Sequence, residues 1–286
     1  MEKKHLAVVC LVLLLLSVSP MYSPCGELPE IRPVPLPRRQ ILPVIPEKIV
    51  YGRSFEGREL EAYRFGQGEN VMVLTFAMHG YEDGFDRDGQ LLVDTAWRLM
   101  DTLSACGSVL VEPGGWSVYV LPCLNPDGLQ EGRTCDGPGR CTLGQGVDLN
   151  RAFPYRFSPG GDARNQAGSQ PLSVPEAESL ASFIRDIRGS GANVLIDVHG
   201  WYCQTLVTGD RNNHLFRGFS LFFPDNYYTS LEKGGGYFTA WAGYELGYDA
   251  CLFEFPNISD EADFYSQSSD IRFVQAVAYL LRSYLP

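Results

Sequence analysis

Short apolar runs that end in polar or glycine-rich segments recur along the chain. Val71–Met78 reads VMVLTFAM, Trp116–Cys123 reads WSVYVLPC, Asn193–Val198 reads NVLIDV and Ala250–Phe255 reads ACLFEF. Each is too continuous for a strand with one wet face and predicts a strand covered on both faces. Helical patterns lie between them. Gln90–Leu103 (QLLVDTAWRLMDTL) has apolar residues at helical spacing. Ser173-Val174-Pro175-Glu176 has the form of a capping box opening AESLASFIRDIR, with proline in the tolerated first turn. Tyr237–Leu246 is a shorter candidate, and Ser269–Leu285 closes the chain as an amphipathic helix. Buried strands alternating with helices predict an α/β sandwich around a mostly parallel central sheet.

The N-terminal region breaks this alternation. Residues 5–19 (HLAVVCLVLLLLSVS) form an apolar run behind Met1-Glu2-Lys3-Lys4. A basic start before so short a run predicts a signal peptide over residues 1–23 rather than a spanning helix. An uncleaved anchor is the alternative. Lipidation at Cys25 is another, poorly matched by Tyr22-Ser23-Pro24. Residues 24–47 are proline-rich and predict an extended linker. Residues 48–286 are left as one catalytic domain of ordinary size. With no second long apolar run, the mature chain is expected to be a secreted monomer without a membrane span.

Composition narrows the function. The chain has 34 acidic and 23 basic residues, a net charge of −11. Removing Glu2, Lys3 and Lys4 leaves 33 against 21, about −12. Clustered Lys and Arg are absent, which excludes nucleic acid as a partner. Of eight cysteines, Cys10 lies in the signal run. Cys135 and Cys141 are the best local candidates for a disulfide in an exported protein. No CxxC occurs, which argues against a cysteine-only zinc site.

The chemistry gathers where apolar runs end. Behind the signal run the histidines are His79, His199 and His214, and the first two directly follow predicted strands. Asn125-Pro126-Asp127-Gly128 follows a third strand, and Glu254 lies near the end of a fourth. In open α/β sheets, ligands bind outside the carboxyl ends of strands. In His79-Gly80-Tyr81-Glu82 an imidazole and a carboxylate can meet one ion across a turn. His199 supplies a second imidazole, so two histidines and one carboxylate would leave a coordination position open. Asp197 either supports this site or is an ordinary strand-end aspartate. Glu254 interrupts an apolar run, so it is either outward-facing on an edge strand or a general base. Arg151 offers a planar fork suited to a carboxylate, and Asn150 adds an amide. His214 falls in GDRNNHLFRG, which reads as a surface loop.

Taken together, the segments YGRSFEGRELEAYRFG (51–66), HGYE (79–82), LNPDG (124–128), GVDLNRAFP (146–154), SVPEAESL (173–180), DVHG (197–200) and CLFEFP (251–256) resemble the zinc carboxypeptidase family, in a compact layout like that of bacterial members. The resemblance implies a three-layer α/β sandwich with a mixed, mostly parallel central sheet. It implies one zinc ion held by His79, Glu82 and His199. Glu254 matches the base that activates the hydrolytic water held by zinc and later protonates the leaving amine. Asn150 and Arg151 match the pair that grips the terminal carboxylate. An arginine between NPDG and VDLNR polarises the scissile carbonyl; Arg133 and Arg140 both fall there, and Arg140 has the better spacing. The family's active-site tyrosine, expected just before Gly234-Gly235-Gly236, is either Tyr228, a little too early, or Tyr237, just after, or is missing. The family's side-chain pocket draws on Tyr237–Tyr248, with Thr239 and Trp241. The implied activity is hydrolysis of the C-terminal amide bond of peptides with a free carboxylate. The alternative is a murein-peptide amidase cutting cell-wall peptides beside a D-glutamyl or diamino-acid residue. A zinc deacylase of N-acyl amino acids and a non-catalytic binding module are the remaining rivals.

Overall fold

A computed structural model describes residues 43–131 and 136–284. The signal run, most of the proline-rich stretch, Cys25, Arg133 and Cys135 lie outside the described residues. Eight strands form one sheet in the order β1-β2-β4-β3-β5-β8-β6-β7. They are β1 (Glu47–Arg53), β2 (Glu59–Phe65), β3 (Asn70–Phe76), β4 (Trp116–Leu121), β5 (Asn193–Gly200), β6 (Gln204–Val207), β7 (Tyr227–Ser230) and β8 (Asp249–Phe255). Four of the seven pairings are parallel, including β4-β3-β5-β8 through the centre; the antiparallel ones are β1-β2, β2-β4 and β8-β6. The sheet is therefore mixed and mostly parallel.

The continuous apolar runs have the expected cause. In β3, Met72, Leu74 and Phe76 enter one core while Val71 and Val73 enter the other. In β5, Val194, Ile196 and Val198 enter the first and Leu195 the second. A side-chain period of two feeds both faces only if every position is apolar. The first core is closed by α1 (Gly89–Leu110), α4 (His214–Phe222), α6 (Glu261–Ser266) and α7 (Ser269–Ser283). The second is closed by α3 (Pro175–Asp186) and α5 (Phe238–Leu246). A short α2 (Pro126–Glu131) follows β4. Helices on both faces make three layers, and no helix among the described residues is long and apolar enough to cross a membrane.

Several local expectations change. α1 runs to Leu110 because its buried face continues through Cys106, Gly107 and Leu110. Val44, from the proline-rich stretch, lies against this helix, its N–H bonded to Ser104 O at 2.7 Å. The capping box does not form. Val174 is the N-cap of α3, with no side-chain cap, and Pro175 holds the first helical position. Glu176 instead turns across the molecule, where Oε1 accepts from Phe55 N at 2.8 Å, between β1 and β2. His214 is not in a loop but opens α4, capped by Asn213, and its Nε2 meets Ser283 Oγ at 3.0 Å. Cys141 is a free buried thiol rather than a disulfide partner, its Sγ directed at the carbonyls of Ala163 and Arg164.

Candidate active site

Backbone close packing brings the turn after β3 to the sheet edge. A Cβ on Gly80 would lie 2.0 Å from the Gly128 carbonyl carbon and 2.3 Å from Gly139 O, so only glycine fits there. Asn125 closes its own turn by accepting from Gly128 N at 3.0 Å, and its Nδ2 donates to Arg140 O at 3.3 Å. The LNPDG segment thus buttresses two pieces of the cleft, the His79–Glu82 turn and the Arg140 segment. Asp88, fully buried, pins the turn from below. Its carboxylate accepts from Glu82 N (2.6 Å), Gly84 N (2.7 Å) and Trp201 Nε1 (2.9 Å).

His79, Glu82 and His199 meet here, with one ligand atom from each lying within 4.8 Å of the other two. All three are buried. His79 Nδ1 stands 3.2 Å from Glu82 Oε2, and His199 Nδ1 stands 3.2 Å from Glu82 Oε1. The far nitrogens are both taken. His79 Nε2 meets Asp148 Oδ1 at 3.0 Å, and His199 Nε2 meets Asp197 Oδ2 at 2.8 Å. Asp197 is fixed in turn by Thr75 Oγ1 at 2.7 Å. A carboxylate behind each imidazole fixes the tautomer that leaves Nδ1 a lone pair for a metal. Glu82 Oε1 is buried and makes no hydrogen bond. This donor set, with one carboxylate between two imidazole nitrogens and its Oε1 left without a hydrogen bond, fits a zinc ion.

The electrostatics agree. Burial alone would raise Glu82, but attraction to His79 and His199 outweighs it and holds the carboxyl down at about 2. Burial likewise opposes ionisation of Asp148, and His79, Arg151 and Arg140 hold it well below the usual carboxylate range. His199 is pushed well above its ordinary value; Asp197 and Glu82 overcome the opposing effect of burial. The cluster is built to hold positive charge.

Glu254 pairs directly with His199 across β5 and β8 and with Gln204 across β8 and β6. It is on an interior strand, not an edge. Gln204 Nε2 donates to Glu254 Oε1 at 2.9 Å, and Thr229 Oγ1 donates to Gln204 Oε1 at 3.2 Å. The second oxygen, Oε2, is buried without a hydrogen bond. Burial pushes this carboxyl up to about 7, into the range of a general base.

His79, Glu82, His199 and Glu254 line one cleft with Asp83, Arg140, Asn150, Arg151, Arg164 and Tyr237 among its other walls. Arg140 lies against the trio, its Nη2 3.4 Å from His79 Nε2, while Nη1 donates to Tyr81 O and to Asp83. Asn150 Oδ1 accepts from Phe238 N, and Arg151 Nη2 donates to Asn165 Oδ1 at 2.9 Å. Tyr237 reaches the cleft with Arg151 over its ring, whereas Tyr228 turns away to donate to Gly209 O. Thr239 and Trp241 do not line the cleft. Trp241 packs on Phe153 and Phe238 in the core, and Leu206, Leu252 and Tyr237 take the wall. His214 is not among the lining residues.

Sequence reasoning missed Asp148, Asp88, Asp83, Arg164 and Gln204. Asp148 stood inside the GVDLNRAFP segment, and its place two residues before Asn150 was the available signal. Asp88, Asp83 and Arg164 carried none, because each sits in a polar stretch, and Gln204 carried none because nothing in WYCQTLV marks it.

A family profile described as zinc carboxypeptidase matches residues 40–208. Bacteriocin BCN5 of Clostridium perfringens is 40% identical over 212 residues, which is 73% of this chain and 23% of that protein. The chain therefore spans about a quarter of that relative's length. A murein-tripeptide amidase from Escherichia coli O157 superimposes with a TM-score of 0.59 at 25% identity, covering 86% of this chain and 96% of that one. Bovine thrombin-activatable fibrinolysis inhibitor, in complex with tick carboxypeptidase inhibitor, gives a TM-score of 0.65 at 18% identity, covering 84% and 92%. The last likeness is one of fold.

Proposed function

Since the chain belongs to the zinc carboxypeptidase family, we propose that it hydrolyses the C-terminal amide bond of peptides at the cleft between His79, His199 and Glu254. The observation that carries this reading is the buried trio with both Nδ1 atoms turned to Glu82, beside a strand-borne carboxylate with one oxygen unengaged. His79, Glu82 and His199 hold a single zinc ion. Zinc, when bound, supplies a Lewis acid that polarises oxygen. Asn150 and Arg151 receive the substrate's terminal carboxylate, which places the last amide beside Glu254. Arg140 donates to the scissile carbonyl oxygen and stabilises the negative charge that grows there. Glu254 Oε2 takes a proton from the attacking water and then delivers it to the departing amine nitrogen. Gln204 holds the other oxygen so that Oε2 faces the reacting atoms.

Glu254→Gln tests this assignment. Its shape and burial are kept while the proton acceptor is lost, so kcat falls by about 10²–10⁴-fold with bound zinc unchanged by elemental analysis. Undiminished turnover would remove Glu254 from the chemistry.

A second reading, hydrolysis of cell-wall peptides, is favoured by the near-complete mutual coverage with the murein-tripeptide amidase. The same residues serve both readings. Mass-spectrometric profiling of a peptide library that includes murein tripeptides separates them by which amide bonds are cut. Export is part of the proposal. It rests on the apolar run at 5–19 behind a basic start, and N-terminal sequencing of the secreted product checks it.

A further inference from the structure

The cleft carries one cation more than this chemistry uses. Arg164 lines it together with Arg140 and Arg151. It comes from the loop between Pro159 and Gly168, which is tied to the segment bearing Arg140. Gly137 N bonds Ala163 O at 2.8 Å, and Cys141 Sγ lies 3.5 Å from Arg164 O. Successive loop residues serve two places along the wall. Asn165 accepts from Arg151, the terminal-carboxylate arginine of the reading above. Arg164 directs both its Nη groups to the two oxygens of Asp83. Asp83 Oδ2 also accepts from Arg140 Nη1 at 3.2 Å. One carboxylate thus bridges two guanidiniums at the end of the cleft where the scissile carbonyl would lie.

Three features separate this bridge from a structural ion pair. The side chains of Asp83 and Arg164 are 23% and 31% exposed, so both open on the cleft. Arg140's side chain is only 7% exposed, and its Nε has no hydrogen-bond partner. Asp83 has a φ of 74°, a left-handed backbone that non-glycine residues seldom adopt, directly after Glu82.

We propose that Arg164 and Arg140 form a second carboxylate subsite, which Asp83 fills until substrate displaces it. The subsite takes a free carboxylate on the residue that supplies the scissile carbonyl. An α-linked glutamyl residue has one on its side chain, and a γ-linked glutamyl residue has one at its α-carbon. Exchanging one carboxylate for another preserves the charge around both guanidiniums, so displacement of Asp83 leaves no buried cation unpaired. A carboxamide brings no charge and cannot take its place. The subsite rests on the hydrolytic reading for its orientation, and it adds the substrate class: peptides with an acidic residue before the last amide.

Four peptides test it, two pairs that differ only in carboxylate against carboxamide on the penultimate residue. One pair is γ-D-glutamyl and the other α-L-glutamyl. In the zinc-loaded wild type, kcat/KM favours the carboxylate in at least one pair by about 10–100-fold, the range of a charge-assisted hydrogen bond. Arg164→Leu brings that ratio to about one, mainly through KM, and Arg164→Lys keeps part of it. Asp83→Asn, whose residue also tolerates a left-handed backbone, binds the carboxylate peptides more tightly and the carboxamides no better. Calorimetric binding of the same peptides to Glu254→Gln reads the subsite without turnover. Failure of hydrolysis with the binding preference intact therefore counts against the hydrolytic reading alone. No preference in either pair, or a preference that survives Arg164→Leu, overturns the subsite.

Discussion

Glu254 is a half-buried acid in a strand of phenylalanines, and its two oxygens live differently. Oε1 accepts from Gln204, whose amide is oriented by Thr229; Oε2 has no partner. Burial raises this carboxyl to about 7, while the Gln204 bond pulls it down. A base works only when ionised, so kcat/KM rises with pH through its pKa. A bound cation beside it favours the ionised form. The acid limb of the zinc enzyme is therefore expected between the ordinary glutamate value of 4.5 and about 7. Gln204→Leu removes a donor that favours the charged form, so the limb moves to higher pH. The same change costs kcat about 10-fold or more, the scale of a hydrogen bond to a charged group, with KM little altered. An unmoved limb in the variant's pH–rate profile would leave Gln204 with a packing role. Glu254 stood out in the sequence because a carboxylate among LFEF is costly to bury, although an edge strand would also have explained it. Gln204 was not, since a glutamine after Trp201-Tyr202-Cys203 is unexceptional until β6 is known to lie beside β8.

At the scale of elements, the strand ends were readable and their neighbours were not. Unbroken apolar runs identified β3, β4, β5 and β8 because both faces of those strands are buried. β1, β2, β6 and β7 are short or half-wet and were not recognised as strands. The capping-box pattern at Ser173–Glu176 failed for a tertiary reason: Glu176 satisfies the Phe55 N–H, a partner more than a hundred residues away. The NPDG and HG segments were legible as motifs, but their physical cause is the three-way backbone contact of Gly80, Gly128 and Gly139. A methyl group at residue 80 has backbone, not a flexible side chain, on the other side. Gly80→Ala is expected to destabilise the protein by about 1–3 kcal/mol, as overpacking does, and to displace His79. Denaturant midpoints and zinc affinity measured together check this. A variant that lost neither would show that the turn yields without disturbing the site.

For the whole molecule, the candidate metal cluster ties the turn after β3 and the GVDLNR segment to β5. His79 belongs to the turn after β3, His199 to β5, and their carboxylate partners come from the GVDLNR segment and β5. A metal that binds the folded chain and not the unfolded one stabilises it by mass action, about 4 kcal/mol when free metal is a thousandfold above Kd. For a chain of this size, that corresponds to roughly 10 °C in Tm. Without the ion, Glu82, Asp148 and Asp197 remain buried around two imidazoles, with Glu82 Oε1 unsatisfied. Chelation should therefore lower the Tm by an amount of that order, and zinc should restore it. His199→Ala removes one ligand and unties Asp197. Its Tm should be low from the outset and nearly indifferent to chelator, because most of the linkage is already gone. Scanning calorimetry of both proteins with EDTA, and again after zinc addition, distinguishes this from a general effect of chelator. Equal Tm losses in wild type and variant would mean that the ion responsible sits elsewhere, and the assignment of His79, Glu82 and His199 would fall with it.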